Sequence, residues 1–324
     1  MTGIFNKFNS LNILIIGDVM IDSYVWGKID RVSPEAPVPV VQVTKKENRL
    51  GGAANVALNV QSLGANPIIC AIIGNDAEGG DLLSLLERAQ LSSEGIISTE
   101  GRLTTVKTRI IAHNHHVVRV DAETDTNISE DLSRLVQAKI AGIITEKNID
   151  AIIFEDYDKG LISEELITFT VTLANQKGIV TAVDPKKRNF HFYKDVSLFK
   201  PNLKELKEGL KTNIDPVSMT QIEAAVDEIK AKLNAKNVML TLSEHGVFIS
   251  TGKGQKLIPA HVRSIADVSG AGDTVIATAA LCLASGLDEF RTAAVANLAG
   301  GLVCEHVGVV PIDKEQLLKE TALL

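Results

Sequence analysis

Residues 267–273, near the carboxyl end of the chain, combine a carboxylate with a glycine turn and the start of a predicted helix. Gly270 and Gly272 precede a run of helix-forming residues at 274–284. A helix N-terminus exposes backbone N–H groups that bind anions, and Asp273 lies directly beside them. Its carboxylate could cap a buried helix, or it could accept the proton of a hydroxyl that attacks a phosphoryl group. The spacing alone supports both interpretations.

The composition of the chain excludes several functional classes. Its 324 residues, 45% apolar and 23% charged, are typical of a soluble globular protein with one large α/β domain or two modest ones. The net charge of -7 argues against a general binder of nucleic acid or membrane surfaces. Cys70, Cys282 and Cys304 lie far apart in apolar runs, which predicts buried free thiols in a reducing compartment. The apolar run at 11–16 is too short for a signal sequence or a membrane span, so we expect a cytoplasmic protein.

The segments that would position Asp273 alternate between strand and helix patterns. This alternation predicts an α/β fold with a mostly parallel sheet and helices on both faces. The predicted strands are 11–16, 68–73, 151–154, 179–183, 197–200 and 238–242, and the predicted helices include 81–89, 130–141, 164–174 and 221–233.

Polar residues follow several of these strands, namely Asp156, Asp184, Asn202, Thr241 and Glu244. Because the carboxyl ends of parallel strands meet at one edge of a sheet, these side chains would form a polar cleft. Asn202 and Glu205 could be an ordinary N-cap with an acid in the first turn, or a pair that orders water around Mg²⁺. Residues 241–246 could likewise be a plain turn or a loop that contacts a nucleotide.

Two segments, about 19–49 and 100–121, depart from the alternation. The first is interrupted by prolines, and the second has alternating polarity and is expected to fold back about His113–His116. Together they predict a small separate sheet, here called the lid. Its apolar edge residues, such as Val38, would be a liability without cover, so we expect a homodimer joined through the lids.

A second glycine pair lies between the lid and the next predicted helix. Gly51 and Gly52 would let a ligand approach the backbone closely, and Asn55 can both donate to and accept from a hydroxyl. Asp18 and Asp22, four residues apart, could hold sugar hydroxyls or form a solvated pair in a loop.

Three motifs in this order resemble the ribokinase-like, or PfkB, family of sugar kinases. They are Gly51-Gly52-x-x-Asn55, Asn202-x-x-Glu205 and Asp267-x-x-Gly270-Ala271-Gly272-Asp273. Residues 17–22, 33–40, 156–160 and 184–186 extend the resemblance over nearly the whole chain and are similar to the heptose 7-phosphate kinases of this family. The resemblance implies one ribokinase-like domain over 1–324 with the lid inserted. Since the chain has no His-x-Gly-His motif, we expect no nucleotidyltransferase domain.

The activity implied by the resemblance is ATP- and Mg²⁺-dependent phosphorylation of a sugar. The anomeric hydroxyl of D-glycero-beta-D-manno-heptose 7-phosphate would be converted to the 1,7-bisphosphate, which leads to ADP-heptose and the lipopolysaccharide core. The alternatives are a kinase for another sugar or sugar phosphate and, outside the enzymes, a sugar-responsive regulator on a kinase scaffold. A requirement for a monovalent cation is left open.

The resemblance also assigns roles to residues. Asp273 would be the base, and Gly270, Ala271 and Gly272 would form the anion hole. The nucleotide would contact Asn202, Leu203, Lys204, Glu205, Thr241, Glu244, Gly246 and Asn297, with Glu205 holding Mg²⁺ through water. The sugar would contact Asp18, Asp22, Gly51, Gly52 and Asn55, and its phosphate would contact Lys107, Arg109, Arg119 and Lys186. Two departures from the family pattern bear on the phosphate contacts: 113–116 read His-Asn-His-His instead of Arg-Asn-Gln-Gln, and Glu155 replaces Ser.

Overall fold

The structure is a computed structural model that describes residues 1–113, 115–261 and 263–323, without the side chain of Leu323. Its strands are β1 (Asn12–Gly17), β2 (Val19–Val32), β3 (Pro39–Gly52), β4 (Asn66–Gly74), β5 (Ile96–Thr99), β6 (Val106–Ala112), β7 (His115–Ala122), β8 (Ala151–Glu155), β9 (Val180–Asp184), β10 (Leu198–Phe199), β11 (Asn237–Thr241), β12 (Val247–Thr251) and β13 (Gly254–Ile258). Its helices are α1 (Thr2–Phe8), α2 (Ala53–Ser62), α3 (Ala77–Arg88), α4 (Glu130–Glu146), α5 (Glu164–Lys177), α6 (Leu203–Leu210), α7 (Met219–Leu233), α8 (Ala271–Ala284), α9 (Glu289–Val303) and α10 (Lys314–Glu320).

The main sheet confirms the predicted α/β class. Within the described residues it has nine strands in the order β13-β12-β11-β10-β9-β8-β1-β4-β5. All neighbouring strands from β11 to β5 pair in parallel, whereas β12 and β13 add an antiparallel hairpin at one edge. The carboxyl ends of the parallel strands therefore lie at one edge of the sheet, where the polar residues that follow the strands are expected to gather.

Helices cover both faces of the main sheet, and β1 shows how the sequence builds two cores. Ile13 and Ile15 lie in one core with α2, α8 and α9, whereas Leu14 and Ile16 lie in the other with α4, α5 and α7. Successive strand residues point to opposite faces, so a strand buried on both faces is a continuous apolar run. Among the described residues, no helix has the length and hydropathy needed to cross a bilayer.

The predicted lid is a four-stranded sheet in the order β3-β2-β6-β7. Its registers pair Asp22 with Arg49 and with Lys107, and Arg109 with Arg119, so these charged residues share one face of the lid. The other face carries valines that are exposed, including Val118 and Val120. Asn114, inside the predicted fold-back of the second segment, lies outside the described residues.

Candidate active site

Asp273 lies in the first turn of α8, where parts of the chain that are distant in sequence meet. Its Oδ2 accepts a hydrogen bond from Asn55 Nδ2 at 2.6 Å, and its Oδ1 accepts one from the Tyr157 hydroxyl at 3.3 Å. Burial, with a smaller contribution from the charge of Asp184, raises the pKa of Asp273 to about 6, against the opposing effect of the bond from Asn55. A carboxylate that titrates near neutral pH is suited to accept the proton of a substrate hydroxyl.

The glycine turn before α8 leaves room next to this carboxylate. Gly270 is the N-cap residue and has a left-handed φ of 80°, which favours glycine. A Cβ on Gly270 would lie 3.1 Å from Asn55 Nδ2, so a side chain would crowd the partner of Asp273. The N–H groups of Gly272 and Asp273 belong to the first turn, which offers them no acceptor within the helix. This turn can therefore stabilise an anion beside Asp273.

Two further carboxylates lie beside Asp273 at the ends of neighbouring strands. Glu155 ends β8 and Asp184 ends β9, and one oxygen of each of the three carboxylates lies within 4.8 Å of the others. Lys200 Nζ lies 2.8 Å from Asp184 Oδ2 and neutralises part of the charge. Burial, together with Asp184 and Asp273, raises the pKa of Glu155 well above its ordinary value. Carboxylate oxygens are the ligands that Mg²⁺ prefers, so this group fits a hard divalent cation.

Asn202 and Glu205 form a capping box at the start of α6. The Asn202 side chain accepts from the Glu205 N–H at 2.9 Å, and Glu205 Oε2 accepts from the Asn202 N–H at 2.8 Å. The other Glu205 oxygen lies 2.5 Å from Lys186 Nζ. Burial lowers the pKa of Lys186, but Asp184 and Glu205 outweigh this effect and raise it above its ordinary value. Asn202 is thus the N-cap of α6, as one of the two interpretations predicted. Lys186 lies beside the acids Glu205 and Asp184.

The remaining nucleotide candidates lie near the β11 end. Thr241 forms a bridge with Asn202, which joins it to the capping box. Gly246 has a φ of 89°, and a Cβ there would lie 2.1 Å from the Ile258 carbonyl oxygen. Asn297 Nδ2 donates to the Pro259 carbonyl at 2.8 Å, next to the same loop. The other three nucleotide candidates differ in exposure. Leu203 is half-buried, and the side chains of Lys204 and Glu244 are 83% and 79% exposed.

The sugar candidates lie along β2, β3 and α2. Asp22 forms an ion pair with Arg109, and a Cβ on Gly51 would lie 2.6 Å from Asp22 Oδ2. Gly52 has a φ of 58°, and a Cβ there would lie 2.3 Å from the Asp18 carbonyl oxygen. The glycine pair therefore lets the lid strand reach α2, whose Asn55 contacts Asp273.

Asp18 supports the loop that carries Tyr157. Its Oδ2 accepts from the backbone N–H groups of Tyr157 at 2.9 Å and Lys159 at 3.1 Å. Burial, with a contribution from the charge of Asp156, raises the pKa of Asp18 from 3.8 to about 7. Asp18 thus holds the loop after β8 in place.

We expect Asp18→Asn to change how stability depends on pH. The pKa of Asp18 is higher in the folded chain, so its contribution to stability is full below about pH 3.8 and is lost as the pH rises towards 7. The amide keeps an oxygen for both N–H groups and does not titrate. The free energy of unfolding of the variant should therefore rise relative to the parent between pH 5 and pH 7.5, as measured in urea. Parallel pH curves for the two proteins would contradict this.

The four predicted phosphate cations fall into separate groups. Lys107 lies near Asp121 and Glu123, and Arg119 pairs with Asp121 while remaining 57% exposed. Arg109 lies over the ring of Tyr24, 5.4 Å from its centroid. Lys186 is outside the lid, and its ion-pair partner is Glu205.

Sequence reasoning missed several residues of this region. Arg49 also lies over Tyr24, at 5.0 Å, and a Cβ on Gly308 would lie 2.7 Å from its guanidinium. Arg49 lies opposite Asp22 because β2 pairs with β3. The alternation of side chains along these two strands could have indicated this pair. Tyr157 lies in the segment 156–160 that resembles the family, but no local pattern indicates the partner of Tyr157 or of Lys200, because both partners come from distant segments.

Comparisons with known proteins identify the family of this chain. The family model described as pfkB family carbohydrate kinase matches residues 10–315. A curated relative, the bifunctional protein HldE of Helicobacter pylori (strain HPAG1), is 38% identical over 308 residues, which are 94% of this chain and 65% of the relative. This chain thus spans about two thirds of the length of such relatives.

Solved structures share the fold. Phosphofructokinase-2 from Escherichia coli in complex with potassium has a TM-score of 0.78 at 19% identity, covering 97% of this chain and 98% of that one. Ribokinase from Arabidopsis thaliana complexed with ribose and ATP has a TM-score of 0.73 at 16% identity, covering 96% and 98%. The family match and the relatives show that the chain belongs to the pfkB family of carbohydrate kinases and is an ATP-dependent sugar kinase.

Proposed function

We propose that this kinase phosphorylates the anomeric hydroxyl of D-glycero-beta-D-manno-heptose 7-phosphate to the 1,7-bisphosphate, on the route to ADP-heptose and the lipopolysaccharide core. The observation that carries the phosphoryl transfer is the Asp273 carboxylate held by Asn55 at the first turn of α8. The heptose substrate is supported by the motifs of the sequence and by the similarity to HldE proteins. We place the reaction in the cytoplasm, where ATP is available and buried free thiols such as Cys70 stay reduced.

The chain's own residues would act mainly by position and charge. Asp273 would accept the proton of the sugar hydroxyl, while the N–H groups of the first turn stabilise charge on the transferred phosphoryl group. Lys186 would add positive charge from the nucleotide side, next to Glu205. Kinases of this family use ATP with Mg²⁺, and the ion neutralises phosphate charge when it is bound. Glu205 is the residue that would hold it, through water.

An acceptor panel tests the substrate. Purified protein with ATP and Mg²⁺ would be assayed against heptose 7-phosphate, unphosphorylated heptose, fructose 6-phosphate and ribose. We expect the highest kcat/KM for heptose 7-phosphate, and a higher value for another acceptor would favour the alternative, a kinase of a different sugar. Absence of transfer to any acceptor would favour a regulator, against which the complete Asp273 site already argues. The same assay in potassium and in tetramethylammonium buffers measures any need for a monovalent cation.

We expect Arg109 to distinguish phosphorylated from unphosphorylated sugar. It lies on the lid face that carries Asp22, close to the sugar candidates. Arg109→Gln should raise the KM for heptose 7-phosphate by about 10- to 100-fold, the usual value of a charged hydrogen bond to phosphate. The KM for unphosphorylated heptose should change much less. Arg134→Gln is the control, since Arg134 is an exposed arginine of α4 that pairs with Glu130 and is outside the candidate site; equal effects of both variants would contradict the assignment.

We propose that two chains pair through the outer faces of their lids. Val118 and Val120 are 48% and 53% exposed on the face opposite Asp22, and a second copy would cover them. Sedimentation at micromolar concentration should give about twice the 34.8 kDa mass of the chain. Val120→Lys should give monomers, whereas Val217→Lys, at an exposed valine outside the lid, should not. A monomeric parent protein would contradict the pairing.

A further inference from the structure

The carboxylates around Asp273 carry more negative charge than the nearby lysines neutralise. Lys200 pairs with Asp184 and Lys186 pairs with Glu205. Glu155 and Asp273 have no such lysine among the described residues, although both are buried. Uncompensated charge in a protein interior is costly, so either protons or a cation should balance these two carboxylates.

Glu155 is the carboxylate with the clearest unmet demand. The residue is 1% exposed, and its Oε2 has no hydrogen-bond partner in the described part of the chain. The register of β8 and β9 pairs Glu155 directly with Asp184, which brings the two carboxylates to the same edge of the sheet. A buried polar atom without a partner is rare and points to a missing ion, water or proton.

The other acids of the group are more fully engaged. Both oxygens of Asp273 accept hydrogen bonds, from Asn55 and Tyr157. Both oxygens of Glu205 are used as well, by the Asn202 N–H and by Lys186. The oxygens that remain available to bind a cation are therefore those of Glu155 and the Asp184 oxygen that does not contact Lys200.

We propose that Glu155 and Asp184 bind a divalent cation directly, before any nucleotide arrives, at a site separate from the water-mediated contact expected at Glu205. The ligand oxygens of the group lie within 4.8 Å of one another. Two oxygens bound to one Mg²⁺ at about 2.1 Å are about 3.0 Å apart at adjacent positions and about 4.2 Å apart at opposite ones, so the two carboxylates would have to close by no more than about 1.8 Å. Asp273 keeps its bonds to Asn55 and Tyr157 and remains the group that takes the hydroxyl proton.

Binding of Mn²⁺ to the nucleotide-free protein tests this site. Electron paramagnetic resonance measures free Mn²⁺, and we expect one bound ion with a Kd on the order of 0.1–1 mM, since only two carboxylates and water bind it. Glu155→Gln should weaken binding by at least about tenfold, because it removes a charged ligand of nearly the same shape. Glu205→Gln, the matched control at the competing acid, should leave the Kd within about twofold.

Three results would overturn the proposal. They are no Mn²⁺ binding to the parent protein up to several millimolar, loss of binding in Glu205→Gln with retention in Glu155→Gln, and equal loss in both. Anomalous scattering from parent crystals soaked in Mn²⁺ decides the matter if a variant does not fold. We expect a peak between Glu155 and Asp184, and a sole peak at Glu205 would refute the site. Neither measurement contains sugar or ATP, so failure here would leave the proposed kinase reaction standing.

Discussion

Asp273→Asn should lower kcat by about 10²- to 10⁴-fold, the usual contribution of a general base. The amide cannot accept the proton of the sugar hydroxyl, although it keeps the size of the side chain and can still bond Asn55. The groups expected to hold the nucleotide, around Asn202 and Thr241, are unchanged by the substitution. ATP affinity measured by calorimetry should therefore change little while steady-state turnover falls.

The control for this variant is an acid outside the site. Asp288 is the N-cap of α9 and accepts from the Arg291 N–H at 3.0 Å. Asparagine caps helices about as well as aspartate, so Asp288→Asn should have near-parental kcat. Turnover of Asp273→Asn within a few-fold of the parent would refute the assignment of Asp273 as the base.

Lys200→Met should reduce the free energy of unfolding by about 3–5 kcal/mol at neutral pH, the range for breaking a buried ion pair. Lys200 is buried and lies 2.8 Å from Asp184, beside Glu155 and Asp273. Methionine has a similar length but no charge, so the three carboxylates would face one another without this cation. Urea unfolding in the absence of divalent ions measures the loss.

A double variant separates the charge effect from a packing effect. Asp184→Asn combined with Lys200→Met removes both members of the pair, and it should recover a large part of the lost stability. Lys232→Met, at an exposed lysine that pairs with Glu228 on the surface of α7, should change the free energy by no more than about 0.5 kcal/mol. If the double variant is no more stable than Lys200→Met alone, the pair is not what stabilises this region.

Strand and helix patterns predicted the main sheet well where the signal was long and apolar. β1 and β8 are continuous buried runs, and they formed within about one residue of their predicted bounds. The predicted start of α3 at residue 81 is four residues late, because the helix begins at Ala77, where the Asp76 side chain accepts from the Gly79 N–H. The short β5 and the hairpin of β12 and β13 were not predicted, since such strands depend on neighbours in the sheet.

By itself, the sequence determined the class of fold, the glycine turn before α8 and the carboxylate that follows it, because these depend on local periodicity and on glycine's backbone freedom. Only the tertiary structure decided which side chains meet that carboxylate. Asn55 and Tyr157 reach Asp273 across separations of 218 and 116 residues, and Lys200 reaches Asp184 from the next strand of the sheet. Hydrogen bonds and ion pairs act over a few ångströms in space, and the order and register of strands set those distances without leaving a local pattern in the chain.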